Sequence, residues 1–265
     1  MTVDANMRAV VDALGLPLGA RVDARVPKKL LVEEGAPTLA DKRAIQDGID
    51  ELQWFAACKP ATIGVPSFAD DMREYLEIAV VGCVFRPDAK GKPAKAVRLI
   101  ELIHRAIPYP VLLVTADESG LALSAAHKRR AQNDAGRVVV DRVVATTSLR
   151  LGPGDEAEAG YLQSLALARQ PRSDLCVLYA SWLAWIEALN AARLTGVFTG
   201  IKDNRAIEER REALEEHKRL SQESSRLRAL IARTKQIRQK VDLSNQLRLV
   251  NEKLLRQEHI LRGGT

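Results

Sequence analysis

The chain has 265 residues, 46% of them hydrophobic, which is enough to bury one α/β domain and carry a further segment beyond it. Its net charge of +6 is unevenly placed: from Ser224 to Thr265 ten Arg or Lys face three Asp or Glu, a net of +7, which leaves −1 for everything before. That excludes a protein basic on every face and points to a local acidic or polyanionic partner. The three cysteines, Cys58, Cys83 and Cys176, are widely spaced and odd in number. They read as reduced, buried side chains of a cytoplasmic protein rather than a disulfide or metal framework. No apolar run approaches the roughly 20 residues of a membrane span, and no signal segment is read at the N-terminus.

In chain order, Ala5 to Leu14 is a short amphipathic helix closed by Gly15 and Pro17, and Val22 to Val26 alternates weakly. Pro27 suits the first turn of a second helix through Lys28, Leu30 and Leu31. Thr38 caps a third to Ile49, with Asp41 three residues on. Leu52 to Ala57 and Ala61 to Val65 read as two strands around Lys59-Pro60, and Glu74 to Phe85 as the longest strand. Ala94 to Ala106 is helical. Pro108 stops that helix because it has no N–H to donate, and Pro110 holds Tyr109 extended before the apolar run Val111 to Val114. Such a run fits a strand covered on both faces. Leu121 to Ala126 and Val138 to Thr146 read as antiparallel additions. The first 150 residues therefore predict an α/β domain built on a mixed sheet.

Gly152-Pro153-Gly154 marks a boundary before a helical pair over residues 155–200, whose second member carries Leu178, Trp182, Trp185 and Leu189 as a packing stripe. From 204 to 262 the chain predicts one long helix or a hairpin of coiled-coil character, basic from 224. Ala213, Leu220, Leu227, Thr234 and Val241 share one seam position, with Leu230 and Ile237 three residues on, but Glu216 and Glu223 stand there after Ala213 and Leu220, so the heptad holds only from about Leu227 onward. A second phase through Leu243, Leu247, Val250, Leu254 and Leu261 places a break near Val241 to Asn245. Arg226, Arg228, Arg233, Lys235, Arg238 and Lys240 form a run with no acid among them. In a parallel homodimer Arg233 would face Arg238, so a hairpin, an acidic partner or a polyphosphate suits the run better. These six are the candidate contacts to nucleic acid or a partner. With no aromatic residue interleaved, the contact would be to phosphates.

No Gly-rich phosphate loop, paired-cysteine metal site or nucleophile elbow is present, and His104, His127, His217 and His259 are far apart, so no cofactor, metal or catalytic residue is assigned. The order helix, three strands, helix, strand is similar to the core of restriction-endonuclease-like nucleases, in which acids on the second and third strands hold magnesium beside a lysine. Here the third strand offers Glu77 but has Ala79 where the lysine would stand. Glu77 is a metal ligand only if the protein is a divergent nuclease of that class.

Over roughly residues 12–148 the chain also resembles a bacterial family catalogued as domain of unknown function 4391. The likeness is carried by Val26-Pro27-Lys28-Lys29, Trp54, Thr62-Ile63, Ile107-Pro108-Tyr109-Pro110 and His127-Lys128. His127 stands where relatives carry Tyr, and Ala57 and Arg86 stand where they carry lysines. The resemblance implies a companion of helicases and DNA methyltransferases in clusters that defend against phage, with Pro27, Lys28, Trp54, Pro108, Tyr109, Pro110 and Lys128 as family-motif residues. The expectation is a cytoplasmic, non-catalytic accessory subunit whose basic arm contacts a larger protein such as a helicase or methyltransferase, or DNA, with no membrane contact. The alternatives are the divergent nuclease and a structural coiled-coil oligomer.

Overall fold

The computed structural model describes residues 3–87, 96–131, 134–152, 154–200 and 203–263. The chain divides into two compact units, Met1–Ile186 and Glu187–Thr265. The first opens with α1 (Val3–Ala13), β1 (Arg21–Arg25), α2 (Lys28–Gly35), α3 (Leu39–Gly48) and β2 (Ile49–Cys58). Next come α4 (Pro60–Ile63), β3 (Phe68–Ala69), β4 (Glu74–Tyr75), β5 (Ile78–Phe85), α5 (Ala96–Ala106) and β6 (Val111–Asp117). After β7 (Gly120–Ala125), β8 (Lys128–Ala131), β9 (Asp134–Val140), β10 (Val144–Ala145) and α6 (Glu156–Ser164), α7 (Leu175–Thr195) crosses the unit boundary, and α8 (Asn204–Arg233) and α9 (Ile237–Leu261) follow.

Among the described residues the main sheet has six strands in the order β1-β2-β5-β6-β7-β10. Its pairs are antiparallel except β5 with β6, where Ala79 lies opposite Val111. A parallel pair needs a crossover, and α5 supplies it. Ile78 to Cys83 and Val111 to Ala116 are buried almost throughout, as a doubly covered strand pair requires. On one face Val81, Cys83, Val111 and Leu113 pack with Leu31, Ile45, Leu99 and Ile103 from α2, α3 and α5. Alternation turns Gly82 to the other face, where a Cβ would run into Phe55 and Met7.

Three local expectations change. The segment from Ala61 is no strand: Pro60 occupies the first turn of α4, the Lys59 backbone N–H donates to Thr62 Oγ1 at 2.9 Å while the Lys59 carbonyl accepts from Thr62 N at 3.0 Å, and Gly64 closes it at φ 65°. The strand before it is a single element, β2. Glu74 to Phe85 splits, because Glu74 and Tyr75 pair with β3 while the main sheet takes over at Ile78. Within Val138 to Thr146, β9 pairs with β8 in a separate ribbon, and only β10 joins the main sheet. Residues 94 and 95 of the helix predicted over Ala94 to Ala106 lie outside the described residues.

By length and composition α7 is able to cross a membrane, contrary to the expectation from apolar runs, but 67% of its most apolar stretch is buried. In the first unit Trp182 Nε1 donates to the Leu165 carbonyl at 2.9 Å and the Tyr179 hydroxyl to that of Val111 at 2.7 Å, which are contacts of a core helix.

In the second unit α8 and α9 pack antiparallel. Ser224 Oγ lies 3.2 Å from Asn251 Oδ1 and His217 Nε2 lies 3.7 Å from Glu258 Oε1, so each step up one helix is matched by an equal step down the other. The chain reverses at Thr234–Gln236, not near Val241 to Asn245. Ala213, Leu220 and Leu227 are buried as expected, but their seam partners are four residues on: His217 and Ile231 are half-buried and Ser224 buried, whereas Leu230 and Ile237 point to solvent. The second phase faces inward, with Leu243, Leu247, Val250 and Leu254 half-buried and Leu261 buried.

Candidate functional site

In the sheet unit the family-motif residues fall into two groups. Pro27 starts α2, Lys28 Nζ donates to the Ile49 carbonyl at 2.7 Å, and the half-buried Trp54 donates its Nε1 to the Ala56 carbonyl at 2.7 Å. Lys28 thereby fastens α2 to the start of β2, whereas the Trp54 bond lies within β2. Pro108, Tyr109, Pro110 and Lys128 meet at the opposite end of the sheet. The Pro110 carbonyl accepts from Ala79 N at 2.9 Å, which extends the β5–β6 ladder by one bond. Lys128, 3% exposed, reaches under the same turn and donates Nζ to the Ile107 carbonyl at the end of α5. A cation at a helix C-terminus is favourable, but burial strips its water. With no carboxylate in ion-pair range among the described residues, burial pushes the Lys128 ammonium down to about 7.

His104, in the last turn of α5, shares the interior: its Nε2 lies 3.1 Å from Ser124 Oγ. Burial, reinforced by Lys128, pushes it down to about 3, so the ring is neutral. Beside Lys128, the Tyr75 hydroxyl lies 2.6 Å from His127 Nδ1, and Tyr75, His127 and Tyr179 pack ring against ring at 5.6–6.1 Å. Glu77 is close by in sequence. Because Cys58 lies opposite Ile78, the residues just outside that pair meet, and Lys59 Nζ sits 3.0 Å from Glu77 Oε2. Glu77 Oε1 is buried without a hydrogen-bond partner among the described residues. Burial, with Glu77 adding to it, pushes the Cys58 thiol up to about 12, so it is inert. The cysteines are free, two of them buried and Cys176 half-buried.

Lys59, Tyr75 and Tyr179 were not singled out from the sequence. Their partners are tens of residues away, and the only local trace is Lys59 preceding a first-turn proline. The cluster ties strand ends to a helix end. No group of three or more His, Cys, Asp or Glu among the described residues is placed to hold a metal ion. The second acid near β5, Asp50, lies at its far end, where Arg86 bonds it at 2.6 and 2.8 Å. Eight strand residues span about 26 Å. Glu77 and Asp50 therefore cannot share one ion.

In the second unit the reversal at Thr234–Gln236 folds the basic run onto itself. Arg226, Arg228 and Arg233 lie on the last turns of α8, Lys235 in the turn, and Arg238 and Lys240 on the first turn of α9, all exposed. At 1.5 Å per residue, all six fall within about 12 Å of the turn. Arg226 is held by Glu223, with both nitrogens 2.9 Å from its carboxylate oxygens, whereas the other five have no ion-pair partner among the described residues. At the opposite end of the hairpin a groove of about 820 Å³ is lined by Arg205, Arg210 and Arg262 but also by Glu209, Glu212 and Glu216. Charges of both signs give it no preference for an anion.

These features define a mixed α/β protein carrying a basic helical hairpin. The chain belongs to the family described as Domain of unknown function (DUF4391), whose model matches residues 14–254. The match runs past residue 148 and takes in most of the hairpin, which the sequence resemblance did not reach. No curated protein and no solved structure matches the chain.

Proposed function

We propose that this chain is a non-catalytic accessory subunit of a bacterial anti-phage defence complex acting on DNA, and that the α8–α9 hairpin, read as an intramolecular antiparallel coiled coil, is its contact arm. The observation that carries the reading is the tip itself: six exposed cations and no acid between Ser224 and Val241, gathered by the turn into one positive end. Within about one Debye length of one another, such charges act on a polyanion together. The sheet unit, where Lys28, Trp54 and Lys128 are spent on internal bonds, serves in this reading as the part that docks on a larger partner such as a helicase or DNA methyltransferase in the cytoplasm. The defence setting rests on the family resemblance, not on geometry. Fluorescence anisotropy with labelled duplex DNA tests the arm. R228Q/R233Q/R238Q/K240Q should lose most of the affinity, and unchanged affinity sinks the proposal.

A second reading is the divergent nuclease, favoured by strand order: β1, β2 and β5 run antiparallel and α5 leads to β6 parallel to β5, similar to a restriction-endonuclease-like core. The separation of Glu77 from Asp50 weighs against it. Magnesium-dependent cleavage abolished by Glu77→Ala would establish it over the first.

A further inference from the structure

Resting on the reading of the hairpin as a DNA contact, we infer that its ligand is duplex DNA held through phosphates alone by five cations, with Arg226 kept out of the contact by Glu223. Glu223 is the last acid before the acid-free run, and both of its oxygens are taken by Arg226 three residues on. An exposed pair of this kind is worth little in itself, but moving Arg226 onto a phosphate would leave the Glu223 carboxylate unpaired beside the DNA backbone, so the pair as a whole brings no net positive charge to the contact. Arg228, Arg233, Lys235, Arg238 and Lys240 have no carboxylate partner among the described residues to give up.

The spacing of these five selects the duplex. Arg228 lies six residues before Thr234 and Lys240 four after Gln236, so the five occupy about 9 Å of the hairpin axis. Along that length a duplex presents about five phosphate charges, at one per about 1.7 Å. A single strand presents two or three, at one per about 3.4 Å. A single strand therefore leaves half the tip without a counter-charge. Stacking is the usual means by which proteins compensate, and between Asn204 and Leu261 there is no Phe, Tyr or Trp. No recognition helix is built either, because the run is divided between the end of α8, the turn and the first turn of α9, so no single helix carries the whole basic face into a groove.

The test titrates the full chain against a labelled duplex and a single strand of the same length, over about 50 to 200 mM salt. Five phosphate contacts predict a slope of log K against log salt of about −4.5 for the duplex, or a loss of about 500-fold across the range. The single strand should bind more weakly with a slope near −2. Glu223→Gln frees Arg226 and should both tighten duplex binding and steepen the slope by about 0.9, and E223Q/R226Q should return it to the parent value. Thermal unfolding checks that both variants are folded. Equal binding of the single strand, or an unaltered slope in E223Q, overturns this inference but leaves the DNA contact standing. Absence of binding to either strand form removes the DNA contact itself.

Discussion

The two units handle charge in opposite ways. In the sheet unit Lys128 and His104 are drawn into the interior, stripped of water and made to hold strand and helix ends together. In the hairpin five cations of similar chemistry stay exposed with no ion-pair partner among the described residues, so they add little to the fold and are free for another molecule. Placement rather than residue type separates a structural lysine from a binding one. Substitutions should follow the same division.

The largest effect belongs to the core of the sheet unit. Trp182 is fully buried, and W182A removes both its packing and the bond to the Leu165 carbonyl. It should cost about 3–5 kcal/mol in urea unfolding. Next is Gly35, where α2 approaches α5 so closely that a Cβ would sit 2.6 Å from the Ala106 methyl and 2.8 Å from the Leu102 carbonyl. G35A should cost about 1–3 kcal/mol. By contrast, R233Q/R238Q at the tip should stay within about 0.5 kcal/mol of the parent while weakening DNA binding. A large loss of stability there would break the comparison.

The pH dependence sharpens it. Lys128 titrates near 7 when folded and near 10.5 when exposed, so between these values the unfolded chain holds a proton that the folded chain has released. Stability from this group therefore rises with pH across that window. Lys128→Met should flatten the rise, read as the difference in urea midpoint between parent and variant at pH about 7 and about 10. An identical slope in both would return Lys128 to the surface class. The smallest effect is at Asp41, whose carboxylate is held at about 2 by the Arg98 guanidinium and the Thr38 hydroxyl. Its contribution is present above the ordinary carboxylate range and is lost as pH falls toward 2, and D41N should shorten that acid limb of the stability profile.

The exposed apolar residues Ile237, Val241 and Leu255 on α9 bear on the oligomer alternative. Light scattering that finds the chain monomeric leaves the hairpin as an arm. A dimer lost in I237E/V241E would make it an assembly surface.

Several features were legible in the residues alone. Pro108 ends α5 and Pro110 sets the entry to β6, because a missing N–H and a restricted φ act on immediate neighbours. Thr38 caps α3, accepting from Asp41 N at 3.1 Å. The phase of Leu243 to Leu261 on α9 and the basic run itself were equally plain. The turn between the helices was misplaced, since Thr234 to Gln236 contains neither Gly nor Pro and nothing local marks it. So was the seam of α8, which continues four residues on through His217, Ser224 and Ile231, whereas the reading along the chain took Leu230, three residues after Leu227.

What only the tertiary structure decided is which charges are inside. Lys128 and Lys240 are alike in sequence, but one meets Ile107 and Tyr75, 21 and 53 residues away, and the other meets water. Periodicity and caps are set by bonds to near neighbours and can be read along the chain. Burial of a cation is set by which distant segments close over it, so it exists only once the sheet and its helices have assembled.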